Sequence, residues 1–299
     1  MAEVVYTGGN YPVKVGGVVI NRVQSVNINR TRTLSDEYQM GTEESLGQSE
    51  GPWTHTVEIA VNPIDTQMER AIVAEATATN PVNLLDLMSA TAVDVITPTR
   101  TSGDCIFQSV RYSASVPDTT FNATWQLKGL STSAGASVAA PTTTGVVSFK
   151  PKHIMVRVAS LASMGTTLLR IKSININVAV RNEDWFEFAN EDAWYTDTMS
   201  PTVTLSLTFY GSRDSVSPGT LAYDKRPTPD ASAPDDFEIQ LAPDGAVWDA
   251  AGNIKFEIAN VIVSDDGTSG STESSVDDTL TYSASDPGST GGFQVTVIA

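Results

Sequence analysis

The side chains best suited to acid–base or nucleophilic chemistry are few in this sequence. It contains two histidines, His55 and His153, and one cysteine, Cys105. His55 lies between two threonines in a strand-like stretch, where a packing role fits it better than a catalytic one. A zinc site takes about four Cys, His or carboxylate ligands, so this set does not predict one. We expect no enzyme, no metal and no cofactor.

Two acid-rich stretches invite a calcium interpretation, residues 243–249 and residues 264–270. Calcium takes about six to eight oxygen ligands, usually from acidic residues at a regular alternating spacing. Neither stretch has that spacing, and Asp-Gly pairs are common in ordinary turns. We therefore predict two solvated turns here and no metal site.

The charge of the chain limits its partners. It carries 18 basic and 35 acidic residues, for a formal net charge of −17. From Thr228 to Ala299, thirteen acids accompany one base, Lys255. Because binding to nucleic acid depends on basic groups that displace counterions, a DNA-gripping protein is disfavoured, whereas one that lets DNA slide past is not. Acidic surfaces also occur in proteins from very salty cytoplasm, and composition does not separate the two explanations.

The hydrophobic fraction of 40% is enough for a packed core. No stretch approaches the ~18 apolar residues of a membrane-spanning helix, and the first residues do not resemble a secretory signal. We expect no association with a membrane.

The chain repeats itself after 148 residues. Residues 22–29 read RVQSVNIN and residues 170–177 read RIKSININ. At the same offset, residues 54–59 (THTVEI) fall on residues 202–207 (TVTLSL), which keeps both threonines and the apolar positions. A small, polar stretch at 131–149 has the composition of a linker. We therefore predict two β domains, 1–140 and 141–299, related by duplication.

Alternation within the repeated segments predicts strands with one face on a core and the other in solvent. The solvent face carries Asn27 and Asn29 in the first copy, and Asn175 and Asn177 in the second. About twenty residues, too many for a tight hairpin turn, separate each strand from its return strand. They form either extended strand arms or an ordered loop. Their aromatic residues are Tyr38, Trp53, Trp185, Phe186, Phe188, Trp194 and Tyr195.

Further along the first copy, the spacing predicts a helix from Asp65 to Thr79, with Asp65 as N-cap and Met68, Ala71, Ile72 and Ala76 on one face. The second copy has the helix-breaking residues 215–220 in that place. More β segments close each copy, at 105–116 and 120–130, and at 254–264, 280–285 and 293–299. Phe107 and Phe256 are expected to correspond, at an offset of 149. The predicted class is mainly β, with at most one short helix in each copy.

This unit resembles the tail-tube domain shared by tail tubes of long-tailed phages, related archaeal viruses and contractile injection systems. The resemblance covers both halves and lies in the order of segments: an alternating strand, a long acidic and aromatic excursion, a return strand rich in threonine, a connection that can carry a helix, and further strands.

The resemblance implies a structural virion protein of a virus tail, assembled in the host cytoplasm. In that family, six domains close a β-barrel around a DNA channel and long loops stack the rings. A duplicated chain would supply six domains as a homotrimer with pseudo-sixfold symmetry. Its partners would be itself and other tail proteins, and DNA would pass without specific binding. The four asparagines would face the lumen, and the seven aromatic residues would contact other subunits or rings.

Two other hypotheses remain open at this point. A trimeric tail hub or tube initiator also carries paired tube domains, but it caps a tube instead of polymerising. A β-sandwich adhesin, from a different class, would use the aromatic loops to bind a receptor glycan. Hub and tube differ in copy number per particle, whereas the adhesin binds glycan as an isolated protein.

Overall fold

The computed structural model describes residues 11–38, 45–116, 120–141, 149–158, 171–187, 191–210, 235–243, 245, 247–269, 277–284, 287 and 292–299. These residues form a mainly β protein with one large antiparallel sheet.

The elements of the first half are β1 (Val13–Val15), β2 (Val18–Ile20), β3 (Val23–Tyr38), β4 (Ser45–Val61), α1 (Gln67–Val73), β5 (Val82–Asn83), α2 (Leu84–Ser89), β6 (Val93–Ile96), β7 (Arg100–Ser115), β8 (Asn122–Gly129) and β9 (Ser131–Ala134). Those of the second half are a 3₁₀ turn (Pro151–His153), β10 (Ile154–Val158), β11 (Ile171–Trp185), β12 (Tyr195–Tyr210), β13 (Asp235–Leu241), β14 (Ile254–Ser269), β15 (Asp277–Ala284) and β16 (Phe293–Val297).

Eight long strands form a main sheet in the order β3–β4–β8–β7–β11–β12–β15–β14. Their side chains alternate as the sequence predicts. In β11, Ile174, Ile176 and Val178 are buried, while Asn175 and Asn177 on the other face are partly exposed. The apolar face of this sheet forms one side of the core.

A second group of strands covers the apolar face. β6 and β9 pair with the first part of β7, and β13 and β16 pair with the first part of β14. β7 and β14 each contain a bulge with a residue at positive φ, Asp104 (φ 52°) and Asn260 (φ 54°), where the strand passes from one group into the other. Rings close the core between the groups: the centroids of Phe237 and Tyr282 lie 4.7 Å apart.

The register of the strands repeats along the chain. Every β3–β4 pair from Val23↔Val61 to Arg32↔Trp53 reappears 148 residues later in β11–β12, from Ile171↔Phe209 to Val180↔Pro201. Each hairpin has a bulge just after its first pair and another just after its last. The predicted pairing of these segments is confirmed, and the long excursions are extended strand arms along most of their described length.

The pairing of β7 with β8 and of β14 with β15 repeats at a different offset. The bulge between Phe107 and Ser109 matches the bulge between Val263 and Asp265. Phe107 therefore stands in register with Val263, 156 residues later, so its predicted correspondence with Phe256 was wrong. Phe256 instead packs its ring on Tyr112, with centroids 4.8 Å apart.

Two helices, α1 and α2, lie in the first half, so the prediction of at most one helix per copy was wrong there. α1 is shorter than predicted because Ala74 adopts the left-handed conformation and ends it; Ala76 is exposed. Its N-cap is Thr66, while Asp65 accepts from the Gln67 N–H at 3.0 Å. α2 begins with a capping box between Asn83 and Asp86. Residues 215–220 lie outside the described residues.

Both halves contribute to one hydrophobic core. β7 pairs with β11 across the predicted domain boundary, and β5 pairs with β16. The predicted linker was partly wrong, because Ser131–Ala134 form strand β9 and Phe149 is buried, with its carbonyl accepting from the Phe121 N–H at 3.1 Å. The halves therefore share a sheet and a core.

Candidate functional site

The face of the main sheet opposite the core is polar across all eight strands, and we call it the polar face. The cross-strand pairs place Asn27 beside Glu58, Glu58 beside Gln126, and Asn177 between Arg111 and Thr204. All four predicted asparagines lie on this face. The side chains that alternation in the other strands adds to it are Thr56, Glu58, Ser109, Arg111, Ser113, Thr124, Gln126, Thr204, Ser206, Thr208, Thr279, Thr281, Ser283 and Asp265.

Hydrogen bonds between neighbouring strands order this face. Arg111 Nε donates to Asn175 Oδ1 at 2.9 Å, and Ser109 Oγ donates to Gln126 Oε1 at 3.1 Å. The hydroxyls of Thr208 and Thr279 lie 3.1 Å apart. Arg111 lies one strand away from Gln126, and its charge is the kind of isolated base that the sequence analysis allows on a lumen. The face is thus hydrophilic and carries few charges for its size.

The arm formed by the far ends of β11 and β12 ends in four exposed aromatic side chains, which we call the aromatic arm tip. They are Trp185 (53% exposed), Phe186 (42%), Trp194 (63%) and Tyr195 (51%). Trp194 N donates to the Trp185 carbonyl at 2.9 Å, and the Trp194 and Tyr195 rings lie 6.1 Å apart. Exposed aromatic clusters of this kind mark sites of contact. Phe188 lies outside the described residues.

Trp53, on the other arm, is held within the chain. Its Nε1 donates to Glu191 Oε2 at 3.2 Å and its backbone N–H donates to the Glu191 carbonyl at 2.8 Å. The guanidinium groups of Arg30 and Arg32 lie over its ring, at 4.0 and 4.6 Å from the centroid. Trp53 therefore joins the two arms to each other. Tyr38, at the end of β3, stands on the same arm.

The histidine that the sequence assigned to packing supports this junction of the arms. His55 is buried, and its Nε2 lies 2.9 Å from Asp192 Oδ1, which also accepts from Arg30 Nη2 at 3.2 Å. Partial burial opposes ionisation of Asp192, but the His55 hydrogen bond and the charges of His55 and Arg30 prevail and hold its pKa below its usual range. The arrangement orders two arms and does not resemble a catalytic pair.

One buried carboxyl was not anticipated from the sequence. Glu69, on α1, is buried and accepts a 2.6 Å hydrogen bond from the Tyr112 hydroxyl. Burial raises the Glu69 pKa to about 7, although the Tyr112 hydrogen bond opposes the shift, and burial also raises the Tyr112 pKa well above its usual value. The spacing of Met68, Ala71 and Ile72 on α1 is the signal that could have placed Glu69 beside the core.

The described residues do not contain a cluster of three or more His, Cys, Asp or Glu side chains that could hold a metal ion. Cys105 is buried against Ser102, and burial raises its pKa to about 11. A GxSxG pattern occurs at 47–51, but it lies within strand β4, not on a strand-to-helix turn, and Ser49 Oγ bonds to the Ser35 carbonyl. The stretch 264–269, predicted as a turn, is part of β14.

None of the helices formed by the described residues is long and apolar enough to cross a bilayer. A comparison with protein-family models gives no match, and neither does a comparison with curated protein sequences.

Proposed function

We propose that the chain is a structural subunit that closes into a homotrimeric ring with pseudo-sixfold symmetry, and that the rings stack into a tail tube through which DNA passes. The observation that carries the proposal is the continuous eight-stranded sheet with a polar face and two edges at β3 and β14. Ring closure by edge pairing would satisfy backbone groups that otherwise promote aggregation.

The repeated strand register supports a duplicated unit. β3–β4–β8–β7 and β11–β12–β15–β14 have the same order, the same bulges and the same leaflet strands on β7 and β14. We infer that the chain is a tandem pair of tube-like units, with the boundary near residue 140. Each unit contributes four strands to the sheet, and the β7–β11 pairing joins the units inside the chain.

The dimensions of the ring favour three chains. Strands spaced about 4.8 Å apart and tilted by about 40° give a 24-stranded barrel a backbone diameter of about 48 Å. Two chains would give about 32 Å by the same geometry, and side chains on both walls remove roughly 12 Å of either width. Three chains therefore leave room for a DNA duplex, whereas two chains do not leave space for duplex and water together.

The composition of the polar face suits a conduit. Its described residues are mostly Asn, Gln, Ser and Thr, and its base Arg111 is already hydrogen-bonded to Asn175. Few basic groups means few counterions displaced from phosphates, so DNA would slide without a salt-dependent grip. By contrast, Glu238, Asp249 and Glu257 of the acid-rich segment lie on the strands that cover the core, near Arg157 and Lys255. We place that part of the acidic charge on the outer wall.

The aromatic arm tip extends beyond the sheet and fits a contact between stacked rings. A tail hub would present the same tip to a different neighbour and would stop at one ring. A glycan-binding adhesin would use the tip as a platform, but it gives no reason for the open edges of the sheet.

Negative-stain microscopy and light scattering of the purified chain test the proposal. We expect rings of three times the chain mass of 31.8 kDa, stacked into tubes with a central channel. The tubes should show no retention of double-stranded DNA at moderate salt. Single rings that do not stack would indicate the hub, six chains per ring would exclude the trimer, and a monomer that binds glycan would exclude both assemblies.

A further inference from the structure

Strand β14 has an edge available to another strand over its second part. Residues 261–269 pair with β15 on one side, whereas β13 and β16 pair with the stretch from Ile254 to Val261. Among the described residues, no strand pairs with 262–269 on the side away from β15. β3, at the opposite end of the sheet, pairs with β4 alone within the same described part of the chain.

The counterpart of this edge is already occupied inside the chain. In register, Ile262–Ser269 of β14 correspond to Ile106–Ser113 of β7, because their bulges and their pairs with β15 and β8 coincide. β7 pairs with β11, from Ser109↔Ala179 to Ser115↔Ser173. β11 in turn corresponds to β3, 148 residues earlier. The chain thus contains a worked example of how the edge of β14 takes a strand.

We propose that the β14 edge binds β3 of a second copy of this chain, antiparallel, in the register Asp265↔Thr31, Gly267↔Asn29 and Ser269↔Asn27. This inference rests on the proposed ring and adds the residues that meet at its chain-to-chain junction. The register keeps Asn27, Asn29 and Thr31 on the polar face, beside Asp265, so the polar face continues from one chain to the next.

Charge distinguishes the junction between chains from the junction within the chain. The same register sets Asp266 opposite Arg30, whereas the corresponding positions inside the chain are Val110 and Val178, both buried. Asp265 and Asp266 give the β14 edge negative charge, and Arg30 and Arg32 give the β3 edge positive charge. Opposite charges across an edge favour this partner over a β14–β14 pair.

The single chain holds this edge only lightly. Arg100 Nη1 donates to the Ile28 carbonyl at 2.9 Å. The Arg100 side chain is exposed, so water replaces the hydrogen bond when an incoming strand displaces it, at little cost in free energy.

Disulfide trapping tests the register. Residues directly opposite in an antiparallel pair have Cα atoms about 4.5–5.5 Å apart, which suits a disulfide. Thr31 and Asp265 are both exposed, and the buried Cys105 thiol does not compete at pH 8. We expect T31C/D265C rings, oxidised and then quenched with a thiol-blocking reagent, to convert most of the monomer band into dimer and trimer on non-reducing gels.

Two control variants make the result specific. N27C/D265C is displaced by four residues, about 13 Å along the strand, and should stay at the background level of cross-linking. S109C/A179C places the pair at the equivalent position inside one chain and should form an intrachain disulfide. Rings that cross-link through N27C/D265C but not T31C/D265C would overturn the register and leave the ring standing. A chain that stays monomeric while S109C/A179C oxidises would overturn the ring and the register together.

Discussion

At the scale of single residues, the structure gives a chemical role to side chains that the sequence could only count. Glu69 is the clearest case, because its surroundings come from β7, 43 positions further along the chain. No local pattern predicts that a glutamate on a helix will meet a tyrosine hydroxyl inside the core. His55, in contrast, was correctly expected not to pair with a nucleophile, although its partner Asp192 lies in an excursion whose path was left open.

Glu69 should make the protein more stable in mild acid than in base. Its folded-state pKa of about 7 lies above the ordinary value of 4.5, so the folded state holds the proton and loses stability as pH rises through that window. Glu69→Gln removes the penalty and keeps an acceptor for Tyr112. We expect urea unfolding to show the variant more stable by up to ~3 kcal/mol at pH 8.5, and close to wild type at pH 4.5.

The exposed Glu58→Gln, on the polar face, is the matched control for Glu69→Gln. Its effect should be small at both pH values, because surface substitutions change stability by about 0.5 kcal/mol or less. A stability gain for Glu69→Gln that is the same at both pH values would contradict a buried, protonated Glu69.

Asp192 should have the opposite pH dependence. Its lowered pKa means that its contribution is present above the ordinary pKa of an aspartate and is lost as pH falls through the folded-state pKa. Asp192→Ala leaves the buried His55 Nε2 without this acceptor, so we expect a loss of about 1 kcal/mol near neutral pH that shrinks on acidification. Glu183→Ala, an exposed carboxylate on the same arm, is the control. Equal losses for both variants would dissociate Asp192 from His55.

At the scale of elements, the repeated segments were predictable because two copies carry the same alternation with the same spacing. The strands at 105–116, 120–130, 254–264, 280–285 and 293–299 were also found, since their apolar and polar residues alternate over five or more positions. Short strands such as β1 and β6 were missed, because three or four residues do not establish a period. The bulge beside Phe107 explains why matching phenylalanines misled: register follows hydrogen bonding, not residue identity.

The aromatic arm tip can be tested without disturbing the sheet. Trp194→Ser with Tyr195→Ser removes two exposed rings, so unfolding by circular dichroism should move little, by about 0.5 kcal/mol or less for each substitution. Rings should still form, but tubes should become short or disappear in micrographs. Val247→Ser, at a side chain 59% exposed elsewhere on the surface, should leave tube length unchanged. Normal tubes from the double variant would remove the tip from the stacking contact.

At the scale of the whole molecule, the shared core makes the two halves interdependent. The Tyr112 ring of one half packs on Phe256 of the other, and Thr296 Oγ1 donates to the Thr79 carbonyl at 3.0 Å. The sequence predicted two copies but not this mutual packing, because contacts across the chain have no local pattern.

We expect the full chain to unfold in urea as one cooperative transition, with tryptophan fluorescence and circular dichroism coincident. Expressed separately, residues 1–140 and 141–299 should each aggregate or lack a cooperative transition, because each exposes apolar surface that the other covers. Coexpression of the two fragments should restore the fold, which serves as the control. Two separate transitions in the full chain would show that the halves fold independently.

The β7–β11 pairing changes how assembly would depend on the amount of protein. A ring of single-unit subunits makes all six of its junctions by collision, whereas three of the six are already made here within the polypeptide. Joining segments in one chain gives them an effective concentration in the millimolar range, far above that of a free subunit. Ring formation then depends on the third power of subunit concentration instead of the sixth. A duplicated chain would complete its rings early in expression, when single-unit subunits would still be mostly unassembled.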